Sequence, residues 1–276
     1  FGVEPLLDHF TTIAPAPRPR PTSAGVLAPD EPTFSGFVFK IQANMDPQHR
    51  DRIAFMRICS GRFQRGMEVK HVRAEKPITL ARTVQFLAQE RMQVDEAYSG
   101  DILGVWDPGL LRIGDSLCEG KPLEFEGIPR FSPEHLVRVR LEDPLKRKQL
   151  KKGLDQLSEE GAVQLFFDRQ RMEREPILGA VGVLQFEVIQ ARLKTEYRVQ
   201  VGFERLPYQF ARWIEGDNLN LEKFELPGRT TCVFDVESRP LVLFDSEWLM
   251  RMAESENPNV KFVAAVQPGR SSRAAG

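Results

Sequence analysis

The chain has 276 residues, with 38 Lys and Arg against 39 Asp and Glu, and 41% of it is hydrophobic. That length suits one large globular domain or two ordinary ones, and no apolar run approaches the roughly 20 residues that a membrane-spanning helix needs. Cys59, Cys118 and Cys232 are odd in number, far apart and outside any CxxC or CxxH spacing. They argue against a disulfide framework and a zinc site, and for a reducing compartment such as the cytoplasm.

The near-neutral total conceals a gradient. Phe34 to Glu90 carries ten Lys/Arg against five Asp/Glu, whereas Arg91 to Arg130 carries four against eight. A locally basic surface on a neutral chain suits an anionic partner bound over a limited patch; a solvated face with no partner is the alternative.

The opening FGVEPLLDHF, residues 1–10, reads as the end of a helix. Starting on Phe rather than Met, and without the basic start and long apolar core of a signal peptide, it suggests a chain that begins inside a longer polypeptide. Pro15, Pro17, Pro19 and Pro21 follow, with Arg18 and Arg20 among them. Proline fixes its own φ and lacks a donor, so residues 11–33 are expected to form an extended, semi-rigid linker.

Over residues 34–128, short strands are divided by Gly, Pro and Asp turns: Phe34 to Gln42, Arg52 to Ser60, Met67 to Arg73, Thr83 to Ala88, Asp101 to Trp106 and Ser116 to Leu117. Alternation places Phe37, Phe39 and Ile41 on one face, and the spacing predicts a small closed β-barrel.

Residues 129–265 change character. HLVRVRL (His135 to Leu141) alternates as a strand, Leu150, Leu154 and Leu157 recur at helical spacing after Pro144, and AVQLFF (Ala162 to Phe167) resumes as strand after Gly161. Pro176 to Ala180 reads as a further strand, Val183, Leu184, Phe186, Val188 and Leu193 as a helix, and Tyr197 to Phe203 as the closing strand. This β-α-β-β-α-β order is the ferredoxin-like split βαβ arrangement. Extra strands at Thr231 to Asp235 and Leu241 to Phe244, a helix near Ser246 to Ala253 and a disordered tail over 266–276 complete the chain.

The chemistry of an enzyme is not visible. No GxxxxGK[ST], GxSxG, HExxH or GxGxxG occurs, and His9, His49, His71 and His135 are scattered. The DILG at Asp101 to Gly104 has the DxxG pattern but reads as a strand and turn. A hydrolase built on Glu222, Glu225, Asp235 and Glu237 lacks a nucleophile or metal set. Basic groups say more. Arg50, Arg52, Arg57, Arg62 and Arg65 fall on the second strand and the loops at its ends, where guanidinium groups can make forked contacts to RNA phosphates. On the helix after Pro144, Lys148 and Lys152 share one face, widened by Lys146, Arg147 and Lys151.

GDILG (Gly100 to Gly104) followed by IGDSL (Ile113 to Leu117) resembles the signature of the second domain of translational GTPases, a barrel shared by elongation and initiation factors. PILGAVGVLQFEVIQARLKTEYRV (Pro176 to Val199) and FKIQANMDPQHRDRIAFMRICSGRFQRGM (Phe39 to Met67) are similar, nearly word for word, to the bacterial class II peptide chain release factor family. Elongation factor G carries a GMGELHLE-type sequence where this chain has GAVGVLQFE at Gly179 to Glu187. The resemblance covers Phe1 to about Val263.

It implies a translation-factor domain II β-barrel over 34–128, followed by a release-factor α+β domain of ferredoxin-like type over 129–265. Residues 1–10 would be the end of a GTPase domain, and the linker its junction. The implied function is translation termination: GTP-dependent dissociation of class I release factors from the ribosome, with GTP or GDP and magnesium held by the GTPase domain in cis. This chain has no phosphate loop and is expected neither to bind nor to hydrolyse GTP; its implied part is docking on small-subunit RNA and protein. The alternatives are an autonomous ribosomal-RNA-binding barrel and a ribosome-bound GTPase of the elongation factor G type.

Overall fold

Strand alternation organises the first half of the chain in a computed structural model that describes residues 2–43, 52–87, 90–168, 175–216 and 226–267. Eight strands form one sheet, antiparallel at every pairing described: β1 (Ser35–Ala43), β2 (Arg52–Ser60), β3 (Glu68–His71), β4 (Lys76–Thr79), β5 (Thr83–Leu87), β6 (Glu90–Gln93), β7 (Ile102–Trp106) and β8 (Ser116–Cys118). Their order is β4-β3-β8-β1-β2-β7-β5-β6. Among the described residues the sheet does not close as expected from the sequence: it is a curled half-barrel whose two ends are the hairpin returns β4 and β6, both unanticipated. Pro77 has no backbone N–H to donate, and in the end strand β4 no further ladder needs one.

Ala54, Met56 and Ile58 of β2 and Leu103 and Val105 of β7 alternate into the core, with Phe34, Phe63 and Leu117 fully buried beside them. The expected face of Phe37, Phe39 and Ile41 does not form. Val38 and Ile41 are the inward residues, so the inward parity of β1 changes between them, and Phe37 instead packs edge-on against Phe125 with centroids 5.9 Å apart.

The proline-rich linker is shorter than expected. Helix α1 (Val3–Ile13) runs three residues into it and buries none of its side chains. Arg20–Thr22 then pairs with Gly25–Leu27 as a hairpin fastened to the barrel: Thr22 bridges Phe125, the Ser23 N–H donates to Glu124 O at 2.8 Å, and the Glu124 N–H donates to Ser23 Oγ at 3.0 Å. Extended proline backbone has unpaired carbonyls and few internal contacts, so it docks where a neighbouring strand offers donors.

The chain divides into two compact units between Glu126 and Gly127. In the second, β9 (His135–Leu141), α2 (Arg147–Glu159), β10 (Gln164–Asp168), β11 (Ile177–Ala180), α3 (Leu184–Glu196) and β12 (Val201–Arg205) realise the β-α-β-β-α-β order, paired β12-β9-β11-β10. Asp143 accepts the Leu145 N–H at 3.0 Å ahead of α2, and Gly161, at φ 73, ends it. The closing strand starts at Val201 rather than Tyr197, because α3 continues to Glu196 and Arg198 turns the chain at φ 57.

Four strands extend the β10 edge as β14-β15-β13-β16: β13 (Phe210–Glu215), β14 (Thr231–Asp235), β15 (Pro240–Phe244) and β16 (Lys261–Val263). β13 and β16 were not anticipated from the sequence. Helices α2 and α3 cover Val137, Val139, Leu165 and Leu178, and α4 (Glu247–Glu256), capped by Ser246, covers Val242 and Phe244 of the extension. The other face buries Leu136, Phe166 and Ile177 with Trp213, Leu241 and Leu243. Ala265–Val266 pairs with Arg130–Phe131, so order persists one residue into the expected tail; residues 268–276 lie outside the described residues.

Candidate functional site

Because Ala54, Met56 and Ile58 face the core, Phe55, Arg57 and Cys59 of β2 face outward. Register with β7 sets Ile102 opposite Arg57 and Trp106 opposite Ile53, and Ile102 and Trp106 remain exposed. Lys40 Nζ of β1 lies 5.5 Å from the Phe55 ring centre, and the Arg82 guanidinium lies 5.2 Å from that of Trp106. Arg20 of the linker hairpin and Arg57 both lie close enough to Cys59 to act on it electrostatically. Burial pushes the Cys59 thiol up to about 11, against the opposing pull of those two cations. This outer face therefore alternates cations with aromatic rings, the arrangement that lets bases stack while guanidinium groups meet phosphates.

The arginines singled out from the sequence separate in space. Arg50 lies outside the described residues. Arg52 is buried: its Nε donates to Asp107 Oδ2 at 2.8 Å and its Nη2 to Leu111 O at 2.8 Å, so it holds a loop and is no surface contact. Arg62 pairs with Glu96 and lies 5.8 Å from the Tyr98 ring centre; Arg65 Nε lies 3.1 Å from Asp95. Both sit at the ladder of Arg62–Gln64 with Glu96–Tyr98, which brings acids from the acidic stretch against them. Only Arg57 of the set is both outward and without a carboxylate partner among the described residues. Lys40, Arg82, Phe55 and Trp106 were missed. Strand alternation hints at them, but only the β2–β7 register brings them together.

The GDILG and IGDSL signature residues are structural. Asp101 accepts the Tyr98 N–H at 2.9 Å, and Gly104 is a mid-strand residue paired with Phe55 and Val84, so this DxxG does not fit a nucleotide-binding role. Asp115 binds His71 Nε2 at 2.7 Å, Arg73 Nε at 2.6 Å and the Arg112 N–H at 2.8 Å, beside Gly114 at φ 97. Burial pushes its carboxyl up, but the hydrogen bonds from Arg73, His71 and Arg112 prevail and hold it below the ordinary carboxylate range. Among the described residues no group of three His, Cys, Asp or Glu could hold a metal. Of the acidic C-terminal set, Glu222 and Glu225 lie outside the described residues, and Asp235 is buried, accepting from Arg239 Nε at 3.0 Å.

In the second unit, Leu150, Leu154 and Leu157 turn inward and leave Lys148 and Lys152 exposed on α2, one turn apart. The strand arginines are balanced: Arg138 Nη1 meets Glu175 at 3.0 Å, and Arg140 pairs with Glu175 and Glu204. Helix α3 buries only Phe186, Ile189 and Leu193, so Val181, Val183, Leu184 and Val188 form an exposed apolar patch over its first turns. Val181, Val183 and Leu184 of that patch fall in the GAVGVLQFE stretch, and Val188 directly follows it.

Comparison with known proteins accounts for both units. The family described as elongation factor G domain 2 matches residues 33–120, and that described as class II release factor RF3, C-terminal domain, matches residues 125–254. The peptide chain release factor 3 of Symbiobacterium thermophilum is 54% identical over 267 residues, covering 97% of this chain and 50% of that protein. That of Gloeobacter violaceus is 48% identical over 263 residues, covering 95% and 50%. The chain belongs to the peptide chain release factor 3 family. It spans about half the length of the curated family members it matches. A crystal structure of a protein from Thermus thermophilus shares the fold, with a TM-score of 0.57 at 23% identity over 79% of this chain and 33% of that one. Within the family frame, the cation–aromatic face lies on the barrel and the exposed α3 patch on the release-factor domain.

Proposed function

We propose that this chain is the ribosome-docking half of a GTP-dependent termination factor that promotes dissociation of class I release factors. The observation that carries the reading is the similarity along the whole chain to proteins named peptide chain release factor 3. GTP or GDP, with magnesium, would be bound by a GTPase domain in cis, since the residues here do not fit a nucleotide. The barrel face of Lys40, Arg57 and Arg82, interleaved with Phe55 and Trp106, suits small-subunit RNA, and the apolar patch of Val181, Leu184 and Val188 suits a small-subunit protein.

A mechanism follows from the linker. Residues from Pro17 onward are held against the barrel, with Pro17 packed over Gly100, where an added Cβ would lie 2.8 Å from Pro17 Cγ. A nucleotide-driven rotation of a preceding domain would then be absorbed near Ala14 to Pro17, rather than over the whole proline stretch, while the barrel holds its ribosomal contacts.

The test is competition. The purified chain, added to a reconstituted termination reaction containing a full-length release factor 3, should slow dissociation of the class I factor by occupying its site. Unchanged dissociation at saturating chain sinks the reading.

A further inference from the structure

A concavity of the second unit lies on the helix-covered face of its sheet, lined by none of the residues of the α3 patch. Phe167 pairs with Phe234 and Cys232 with Val242, so these residues share one face, the face that α2 covers at Leu165 and α4 at Val242. Alongside α2, over β10 and the end of β14, is a groove of about 1150 Å³. Leu150, Leu154, Leu165, Phe167 and Phe234 form its apolar floor, and Leu145, 90% exposed, and Val236, 48% exposed, stand at its edge. Small-ligand pockets run to about 300–1,000 Å³, so this groove has room for a peptide segment.

Charge indicates which kind. The first two turns of α2, Arg147 to Lys152, carry Arg147, Lys148, Lys151 and Lys152 and no acid, although a helix N-terminus already carries partial positive charge. Arg147, Lys148 and Lys151 line the groove itself. Three carboxylates line it too. Asp235 is buried and held by Arg239, Asp155 is four residues from Lys151 on the same helix, and Asp168 ends β10. The entrance at Arg147 and Lys148 thus stays cationic. Exposed Leu145 and Val236 at the edge, with half-buried Phe167 and Phe234 on the floor, favour apolar anchors over a sugar–phosphate backbone.

We propose that this groove docks an acidic amphipathic helix of a partner protein, its apolar stripe seated on Phe167 and Phe234 and its carboxylates against Arg147 and Lys148. This goes beyond the ribosomal docking proposed above and does not depend on it.

The probe is a fluorescent helical peptide of about 15 residues with leucines at i, i+3, i+4 and i+7 and glutamates elsewhere. Three controls accompany it: a scrambled peptide of the same composition, a version with lysine for glutamate, and a single-stranded RNA oligonucleotide. Anisotropy should show the acidic amphipathic peptide binding at least about tenfold tighter than either control peptide. Val236→Asp and the double variant Arg147→Glu, Lys148→Glu should each weaken it about tenfold, with unfolding midpoints unchanged because these side chains are on the surface. Equal binding of the scrambled peptide, or no binding at about millimolar protein, overturns the proposal. RNA binding that is lost with the charge reversals while Val236→Asp has no effect would assign the cations to a nucleic acid and overturn it as well.

Discussion

Arg52 and Asp107 meet inside the barrel, Nε to Oδ2 at 2.8 Å, with the carboxylate wholly shielded from water. The other Asp107 oxygen accepts the backbone N–H groups of Gly109, Leu110 and Leu111, so one buried pair fixes the whole 107–111 turn. Removing one partner leaves the other charge buried and unpaired. Arg52→Ala should therefore cost about 3–5 kcal/mol of stability, measured by urea unfolding. Arg57→Ala, five residues along the same strand and facing outward, should change it by less than about 0.5 kcal/mol.

Asp115 makes the barrel acid-sensitive. Its folded carboxyl titrates below its unfolded value, so its contribution is complete above the unfolded value of about 4 and is lost as pH falls through the folded one. The urea midpoint of the native chain should exceed that of Asp115→Asn at neutral pH, and the gap should narrow progressively below about pH 4. A gap that stays constant into acid would show that the carboxylate charge is not what His71 and Arg73 bind.

The Cys59 thiol, raised to about 11 by burial, is protonated at neutral pH and lies within the field of Arg20 of the linker hairpin. Cys118 is fully buried and Cys232 partly so. A colorimetric disulfide reagent should modify Cys232 first, and Cys59 and Cys118 only after denaturant is added. Rapid reaction of Cys59 in the native chain would mean that its burial is readily lost.

Gly61 turns the chain out of β2 at φ 67, and a Cβ there would lie 2.6 Å from Phe34 N. Backbone cannot yield as a flexible side chain can. Gly61→Ala should destabilise by about 2 kcal/mol or more, read from thermal unfolding.

The sequence carried the periodic elements well. β9 and β2 were legible at their observed bounds, and α2 was legible because Leu150, Leu154 and Leu157 repeat on one helical face while Gly161 stops it. The βαββαβ order followed from those elements alone. What escaped was either too short to carry a pattern or set by pairing at long range. β4 and β6 are four-residue hairpin returns with little pattern of their own, and β13 is recognised only through its partners β15 and β16. The same limit applied to function. Five arginines close in sequence looked like one patch, yet Arg52 turned inward to an aspartate 55 residues away, and Arg62 met a glutamate on another strand. The face that the structure offers in their place joins Lys40, Arg57 and Arg82, which no local spacing connects.

The most direct measurement is cosedimentation of the chain with small ribosomal subunits between about 50 and 200 mM salt, comparing it with the variant Arg57→Glu, Arg82→Glu. Both side chains lie on the barrel exterior, so the variant should fold as the native chain does, whereas a variant at Arg52 would destabilise the barrel and mix lost stability with lost docking. The account predicts salt-sensitive pelleting of the native chain, and a variant that binds more weakly with a log–log salt slope shallower by about two. Equal binding and equal slope, or a native chain that never pellets with the subunits, would contradict it.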